Sequence, residues 1–136
     1  MKTKIYSFLI ALPLLFFVGC NPDKDDDPTP TADISGTWKA QETSSTYGTQ
    51  NYYVDISKDL TNSSKFNIDN FFNQGTGKVF SCIQNGSNLT LSSIPFEGFQ
   101  FSGTGSISTD FKTITWSYTF DEGNGPENGT ATYTKL

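Results

Sequence analysis

Carboxylates are the side chains of this sequence best placed to carry acid–base chemistry, because the chain contains no histidine and no arginine. Their absence excludes Ser-His-Asp triads, imidazole general bases and zinc sites that include histidine. Glycoside hydrolysis would need two facing carboxylates. Only Asp55 and Glu97 lie near predicted strands, and no spacing pairs them. We therefore predict that the protein is not an enzyme and uses no cofactor.

Two segments have the composition of an ion or phosphate site without its spacing. The segment 121–128 is rich in carboxylate and amide oxygens, which calcium prefers, but it lacks the regular ligand spacing of an EF-hand. A solvated hairpin loop is the favoured interpretation. Gly103 and Gly105 lie inside a strand pattern and do not open a helix, so they do not form a phosphate-binding loop. We predict no metal site.

Aromatic side chains are the remaining candidates for a binding function. An eight-stranded barrel is just wide enough to be filled by its own side chains or to hold one small ligand, and large aromatics favour the filled interior. The inner-face candidates for ligand contacts are Trp38, Tyr52, Phe99, Phe101, Trp116 and Tyr118, with Phe120 on the same face. Tyr47, Tyr53 and Phe96 are predicted to be exposed at a rim, where aromatic faces could stack on sugars.

The N-terminus has the features of a secretory signal. Residues 1–19 combine a basic start at Lys2 and Lys4 with an apolar run that is too short to span a bilayer. The run ends at Cys20 in a sequence that resembles a bacterial lipobox, whose cysteine thiol receives diacylglycerol before cleavage. An ordinary signal peptide with a chance cysteine is the alternative. Three acyl chains, palmitate among them, exceed the two signals needed for stable anchoring, so Cys20 is predicted to hold the mature protein at a membrane.

Residues 20–32 are predicted to be a flexible tether. They contain three prolines and no large apolar residue, so they cannot bury enough surface to offset the entropy lost on ordering. The cluster of Lys24 with Asp25, Asp26 and Asp27 resembles the acidic export signal of surface-exposed lipoproteins in some gut Gram-negative bacteria. A merely solvated linker is the alternative. The sequence thus predicts a lipid-anchored protein of the outer membrane, with exposure at the cell surface left open.

Residues 33–136 are enough chain for one domain with a modest core. Six lysines against ten acids make this domain acidic, which argues against nucleic acid and against anionic lipid, since both are bound through basic contacts. Cys82 is the only cysteine besides Cys20 and lies in an apolar, strand-like run. It is predicted to be a small buried hydrophobe and not a reactive thiol.

Hydrophobic residues alternate with period two through almost all of this domain, and segments with helical periodicity are absent. The turn residues Asn85-Gly86 between Val79–Ile83 and Leu89–Leu91 are the strongest hairpin signal. Eight short strands with turns at near-regular intervals predict an all-β fold. The favoured architecture is an antiparallel up-and-down eight-stranded barrel, and a β-sandwich is the alternative.

The strand pattern is less regular at three places. Gly103 and Gly105 fall on the predicted inner face, which indicates a bend or a close approach of another group to the backbone. The segment 121–129 is predicted to be a loop. Phe71 and Phe72 lie where a strand ends or one helical turn forms, and they are assigned only to core packing.

Gly36-Thr37-Trp38 at the head of the first predicted strand matches the Gly-x-Trp motif with which lipocalins open, where the tryptophan closes the barrel floor. The region 34–135 further resembles small lipocalin-like lipoproteins of gut Gram-negative bacteria. The segments that carry this resemblance are 34–38, 64–71, 103–108, 113–118 and 130–135. The sequence departs from lipocalins in lacking a C-terminal helix and an arginine on the last strand to cap Trp38.

Two hypotheses for function follow from these features. The first is a non-catalytic, membrane-anchored lipoprotein with a lipocalin-like barrel that binds a small apolar or glycan ligand outside the cell. The alternative is a structural or interaction lipoprotein, whose closed barrel docks on an outer-membrane or host protein through its outer face. A filled interior would favour the alternative, and an open mouth would favour the first.

Overall fold

The computed structural model of the protein describes residues 33–136, except for the side chains at positions 92–94 and 96. The predicted signal peptide 1–19, the lipidation site Cys20 and the tether 20–32 lie outside the described residues. Within residues 33–136 there is no helix of the length and apolarity needed to cross a membrane.

Eight antiparallel strands build the domain, because alternating apolar and polar residues give each strand one face to bury. Each strand pairs with the next along the chain and β8 pairs with β1, so the sheet closes into an up-and-down barrel. This confirms the predicted barrel and excludes the β-sandwich. The strands are β1 (Gly36–Ser44), β2 (Gly48–Lys58), β3 (Lys65–Asp69), β4 (Val79–Asn85), β5 (Asn88–Phe96), β6 (Phe99–Ile107), β7 (Thr113–Asp121) and β8 (Pro126–Lys135).

The inward-facing side chains follow the predicted alternation with one exception. Trp38 and Ala40 on β1 are buried, and Tyr133 on β8 lies opposite Ala40. Gly36 lies on the same inner face by alternation but is exposed, because the strand only begins there. Cys82 faces the interior from β4, and burial raises the pKa of its thiol to about 12, as expected for an unreactive cysteine.

Two turn predictions need correction. The segment 121–129 is not a loop, because β8 already begins at Pro126, opposite Asp121. Gly123 and Gly125 have φ values of 93° and 110°, which allow the chain to reverse within four residues. In the β4–β5 hairpin the pairing is as predicted, but the two loop residues are Gly86 and Ser87.

The inward-facing glycines make room for the aromatic side chains of β7. A Cβ atom on Gly103 would lie 2.5 Å from Cβ of Tyr118, and one on Gly105 would lie 2.9 Å from Cε3 of Trp116. On the other side of β7, a Cβ on Gly129 would lie 2.4 Å from Cε2 of Tyr118. The prediction of a close approach is therefore confirmed, and the approaching groups are the protein's own aromatic rings.

One end of the barrel is closed by Trp38 and is called the floor below. The indole Nε1 of Trp38 donates a hydrogen bond to the Ile34 carbonyl at 2.9 Å. No arginine caps this ring, but Lys135 on the last strand places Nζ 5.6 Å from the ring centroid, within the range of a cation–π interaction. Lys135 Nζ also donates to the Asp33 carbonyl at 2.8 Å.

Candidate functional site

Two phenylalanines close the opposite end of the barrel. Between β3 and β4 the chain forms one turn of 3-10 helix and buries Phe71 and Phe72, called the plug below. The ring of Phe71 packs edge-on against Trp116 and Tyr118, with centroids 5.8 and 5.6 Å away. The ring of Phe72 lies 4.8 Å from that of Phe120. Core packing was correctly predicted, but these rings enter the barrel from a connection and not from a strand.

The plug is held in a left-handed backbone conformation. Asn70, Phe72 and Asn73 have φ values of 64°, 57° and 53°. Asparagine tolerates this region, whereas a phenylalanine there costs about 1–2 kcal/mol. The Asn70 side chain fixes the segment, since its Nδ2 donates to the Tyr53 carbonyl and its Oδ1 accepts from the Gly75 amide, both at 2.7 Å. Strain of this kind is typical of ligand clamps and switch segments.

Glu42 places a carboxyl group inside the barrel. Strand β1 turns every second side chain inward, and the residue is only 1 % exposed. Tyr52 on β2 donates a hydrogen bond from its hydroxyl to Glu42 Oε2. Burial has the largest effect on the carboxyl and raises its pKa above the usual 4.5, against smaller opposing contributions from the hydroxyls of Tyr52 and Tyr118.

Tyr52, Tyr118 and Tyr133 bring three hydroxyls to the same part of the interior, and with Glu42 they are called the interior cluster. Oε1 of Glu42 and the hydroxyls of Tyr118 and Tyr133 are buried and have no hydrogen-bond partner within the described chain, and neither does Nε1 of Trp116. The Tyr118 hydroxyl interacts favourably with the carboxylate, and the Tyr133 hydroxyl with that of Tyr52, but neither geometry is that of a hydrogen bond. Each unpaired buried polar group costs about 1–3 kcal/mol, so four of them in one barrel are a functional signal.

The interior cluster contains one acid and three phenols, and none of the domain's lysines is buried beside them. Burial and the Glu42 charge raise the pKa of all three tyrosines, which keeps the phenols neutral. All six lysines of the described domain are exposed or half-buried, so none of them neutralises this buried carboxyl from the interior. A buried carboxylate without a counter-ion is strongly unfavourable, which drives it either to bind a proton or to accept a cation.

Glu42 was missed by the sequence analysis, which considered only Asp55 and Glu97 as acids near strands. That was wrong, since Glu42 lies within β1 itself. The signal was present: the alternation that places Trp38 and Ala40 inside continues to position 42. The structure does not pair the two acids that were considered. Asp55 accepts a hydrogen bond from Thr37 on the outer wall at 2.6 Å, and Glu97 pairs with Lys78.

A groove of about 170 Å³ lies beside the plug and is called the mouth groove. It is lined by Tyr47, Gln50, Phe72, Asn73 and Gln74. The Tyr47 ring is 43 % exposed and lies 5.8 Å from that of Phe72, edge to face. Asn73 Nδ2 donates to Gln50 Oε1 at 2.8 Å. An aromatic face thus lies next to three amide side chains.

The β1–β2 turn that carries Tyr47 is fixed by two glutamates of the β7–β8 hairpin. Glu122 accepts a hydrogen bond from the Tyr47 hydroxyl, which raises the pKa of that phenol. Glu127 accepts from Thr46 and, at 2.7 Å, from Ser45, and these bonds lower its pKa. The rim is therefore held in place without using the exposed face of Tyr47.

The predicted site residues fall into two groups. Trp38, Tyr52, Phe101, Trp116 and Tyr118 are buried in the interior as predicted, and Phe99 is half-buried and stacks on Phe101 with centroids 5.7 Å apart. Among the predicted rim residues, Tyr47 lines the mouth groove, and the side chain of Phe96 is outside the described part of the chain.

Two further predictions concerned the position of Tyr53 and the absence of a metal site. Tyr53 is 59 % exposed, but its side chain lies on the outer wall of β2 and not at the mouth. Across residues 33–136 no three His, Cys, Asp or Glu side chains are grouped closely enough to hold a metal ion. Inside the barrel, the rings of Phe71 and Phe72 pack against those of Phe101 and Tyr118.

Comparison with known proteins shows the fold. No family model and no curated protein matches this chain. Among solved structures, it is similar to a redesigned beta barrel, b11L5F_LGL, with a TM-score of 0.54 and 10 % identity over 76 % of this chain and 91 % of the other. It is also similar to EF1p2_mFAP2b bound to DFHBI, with a TM-score of 0.55 and 12 % identity over 76 % of this chain and 94 % of the other.

Proposed function

We propose that this protein is a non-catalytic, lipid-anchored binding protein that takes a small apolar or glycan ligand at the plugged end of its barrel. The mouth groove is the observation that carries this proposal. It is smaller than a drug-sized pocket, so it matches a single sugar ring or a short apolar group.

The side chains of the mouth groove suit such a ligand. The exposed Tyr47 face offers a surface on which the apolar face of a sugar ring stacks. Gln50, Asn73 and Gln74 supply amide donors and acceptors for hydroxyl groups beside it. The similar barrel EF1p2_mFAP2b, solved bound to DFHBI, supports ligand binding by a barrel of this size.

The N-terminal sequence supports the location of this activity. The lipobox-like ending at Cys20 and the acidic, proline-containing tether after it fit a lipoprotein of the outer membrane that presents its barrel outside the cell. Radiolabelled palmitate should be incorporated into the full chain and not into a Cys20→Ser variant. Loss of the barrel on protease treatment of intact cells would place it on the outer face, and protection would contradict surface exposure.

The binding proposal is tested by a thermal-shift screen of the full chain in detergent against lipid and oligosaccharide libraries. For any ligand that raises the melting temperature, Tyr47→Ala should weaken binding about three- to tenfold, the usual value of one aromatic contact. Tyr53→Ala removes an equally exposed tyrosine from the outer wall and should leave the affinity unchanged. A screen without a single stabilising compound would contradict the proposal.

The aromatic filling of the barrel favours one competing function, docking on an outer-membrane or host protein through the outer wall. A polar groove of about 170 Å³ on that wall, lined by Lys39, Gln41, Asn51, Thr132 and Thr134, is where such a partner would bind. A photo-crosslinker at position 132 should then capture one protein on intact cells. The same group at Thr90, on the exposed face of β5, is the matched control.

A further inference from the structure

The buried acceptors of the interior cluster have the number and chemistry that an ammonium group requires. Among the described residues, Oε1 of Glu42 and the hydroxyl oxygens of Tyr118 and Tyr133 have no hydrogen-bond partner. A protonated primary amine has three N–H donors and no acceptor, so it satisfies three oxygens at once. A metal ion is a poorer match, because phenols kept neutral by burial are weak metal ligands.

The walls around these oxygens also favour a cation. Trp116 and Tyr133 lie on the neighbouring strands β7 and β8, with ring centroids 6.2 Å apart and ring planes tilted by 58°. The negative faces of aromatic rings attract a desolvated ammonium group. The Glu42 carboxylate supplies the full charge that such a ligand neutralises. Two of the domain's own lysines pair with other acids, Lys65 with Asp59 at 3.4 Å and Lys78 with Glu97.

Phe72 of the plug lies between the mouth groove and this cluster. Phe72 lines the groove on one side, and on the other its ring lies 5.7 Å from that of Tyr118, edge to face. Phe72 is also held in a left-handed backbone conformation, at φ 57°, which is unfavourable for a phenylalanine. Displacing it releases strain and leaves a space of aromatic size directly above Tyr118.

Resting on the proposed binding function, we infer that the ligand is a small primary amine with an apolar body, whose ammonium group pairs with Glu42, Tyr118 and Tyr133. Its apolar body replaces the ring of Phe72 under the mouth groove. The interior cluster is then the part of the site that determines specificity, and the plug is the part that moves when the ligand binds.

The test uses phenethylammonium, whose ring matches that of Phe72, and phenethyl alcohol as its neutral counterpart. Titration calorimetry of the full chain in detergent at neutral pH is carried out on the wild type and on Phe72→Ala, which opens the space in advance. The ammonium compound should bind Phe72→Ala at least about tenfold more tightly than the alcohol, the value of one charge-assisted hydrogen bond.

Three variants in the Phe72→Ala background identify the groups responsible. Glu42→Gln should abolish the preference for the ammonium compound, and Tyr133→Phe should reduce it, while the affinity for the alcohol stays the same. Asp110→Asn removes an exposed carboxylate from the floor end of the barrel and should change neither affinity.

The outcomes separate this inference from the proposal on which it rests. Equal affinities for the two compounds, or a preference that survives Glu42→Gln, would overturn the ammonium site while leaving ligand binding intact, and would point to a bridging water in the cluster. If neither compound binds Phe72→Ala, the inference also fails. The library screen on the wild type then decides separately whether any ligand binds.

Discussion

The two ends of the barrel are built in opposite ways. At the floor, the indole of Trp38 is hydrogen-bonded, Lys135 covers its ring, and the backbone amide of Leu136 donates to the Thr37 carbonyl at 3.1 Å. At the plugged end, the aromatic rings pack closely but the interior cluster contains unpaired buried oxygens. In the described part of the chain, the Trp38 indole has a hydrogen-bond partner, whereas three oxygens of the interior cluster have none.

Backbone strain is divided between the ends in the same way. Of the five non-glycine residues with positive φ in the described chain, Asn70, Phe72, Asn73 and Glu97 lie at the plugged end, and Phe111 lies at the other. Local strain and unpaired polar groups are expected where function has displaced stability. The comparison teaches that most of the strained backbone lies away from the floor, at the end where we propose that a ligand binds.

The largest change in the free energy of unfolding is expected at the floor. Trp38→Ala removes a fully buried ring and a satisfied hydrogen bond, so it should lower the free energy of unfolding by about 3–5 kcal/mol in urea denaturation. Lys39→Ala, at the exposed neighbouring position, should change it by less than about 0.5 kcal/mol. A loss below about 1 kcal/mol for Trp38→Ala would show that the floor is not the stabilising end.

A smaller loss of stability is expected when a methyl group is added to the tightly packed interior at the plugged end. Gly129→Ala would place a Cβ 2.4 Å from the Tyr118 ring, so it should destabilise the protein by about 1–3 kcal/mol. The same change in a Tyr118→Leu background should cost clearly less, since the clashing ring is gone. Thr130→Ala at the exposed neighbouring position is the control. Equal costs in both backgrounds would contradict the assigned contact.

The next prediction concerns Glu42 and the way in which the stability of the protein depends on pH. Because burial raises its pKa above 4.5, the folded state binds this proton more tightly than the unfolded state. The associated stability is fully present below pH 4.5 and falls as the pH rises through the folded-state pKa, by up to about 1.4 kcal/mol per pH unit. Glu42→Gln should remove this decline in urea titrations carried out at increasing pH from about 4.5 upward.

The exposed carboxylates behave with the opposite sign and provide the control. Hydrogen bonds lower the pKa of Asp59, Asp110 and Glu127, so their contribution is present at higher pH and is lost only as the pH falls below about 4. Glu127→Gln should therefore keep the decline of the wild type above about pH 5. A decline that persists in Glu42→Gln would mean that the interior carboxyl is not its source.

The smallest effect is expected from relieving strain in the β5–β6 turn. Glu97 and Gly98 form a two-residue hairpin loop with φ values of 48° and 93°, a geometry that favours Asn-Gly. Glu97→Asn should raise the free energy of unfolding by about 0.5–1 kcal/mol in urea denaturation. Glu97→Gln loses the contact with Lys78 without gaining this turn preference, so it should not stabilise. A gain from Gln equal to that from Asn would exclude strain relief as the cause.

Sequence patterns predicted the fold better than they predicted the site. Alternation fixed the inward faces of the strands and correctly placed Tyr52, Phe101 and Trp116 in the interior. The start of β8 was missed, because Pro126 and its polar neighbours have loop-like composition and become a strand only by pairing with β7. Glu42 was missed because a carboxyl group is rarely assigned to a core, even where the alternation demands it.

The sequence by itself determined an eight-stranded antiparallel barrel, since a period of two with regular turns allows each strand to bury one face only against its neighbours. Only the tertiary structure decided which side chains meet inside. Closing β8 on β1 brings Tyr133 beside Glu42, and the left-handed backbone at Asn70 and Phe72 turns the plug inward. These contacts join residues far apart in the chain, and local periodicity carries no information about such pairs.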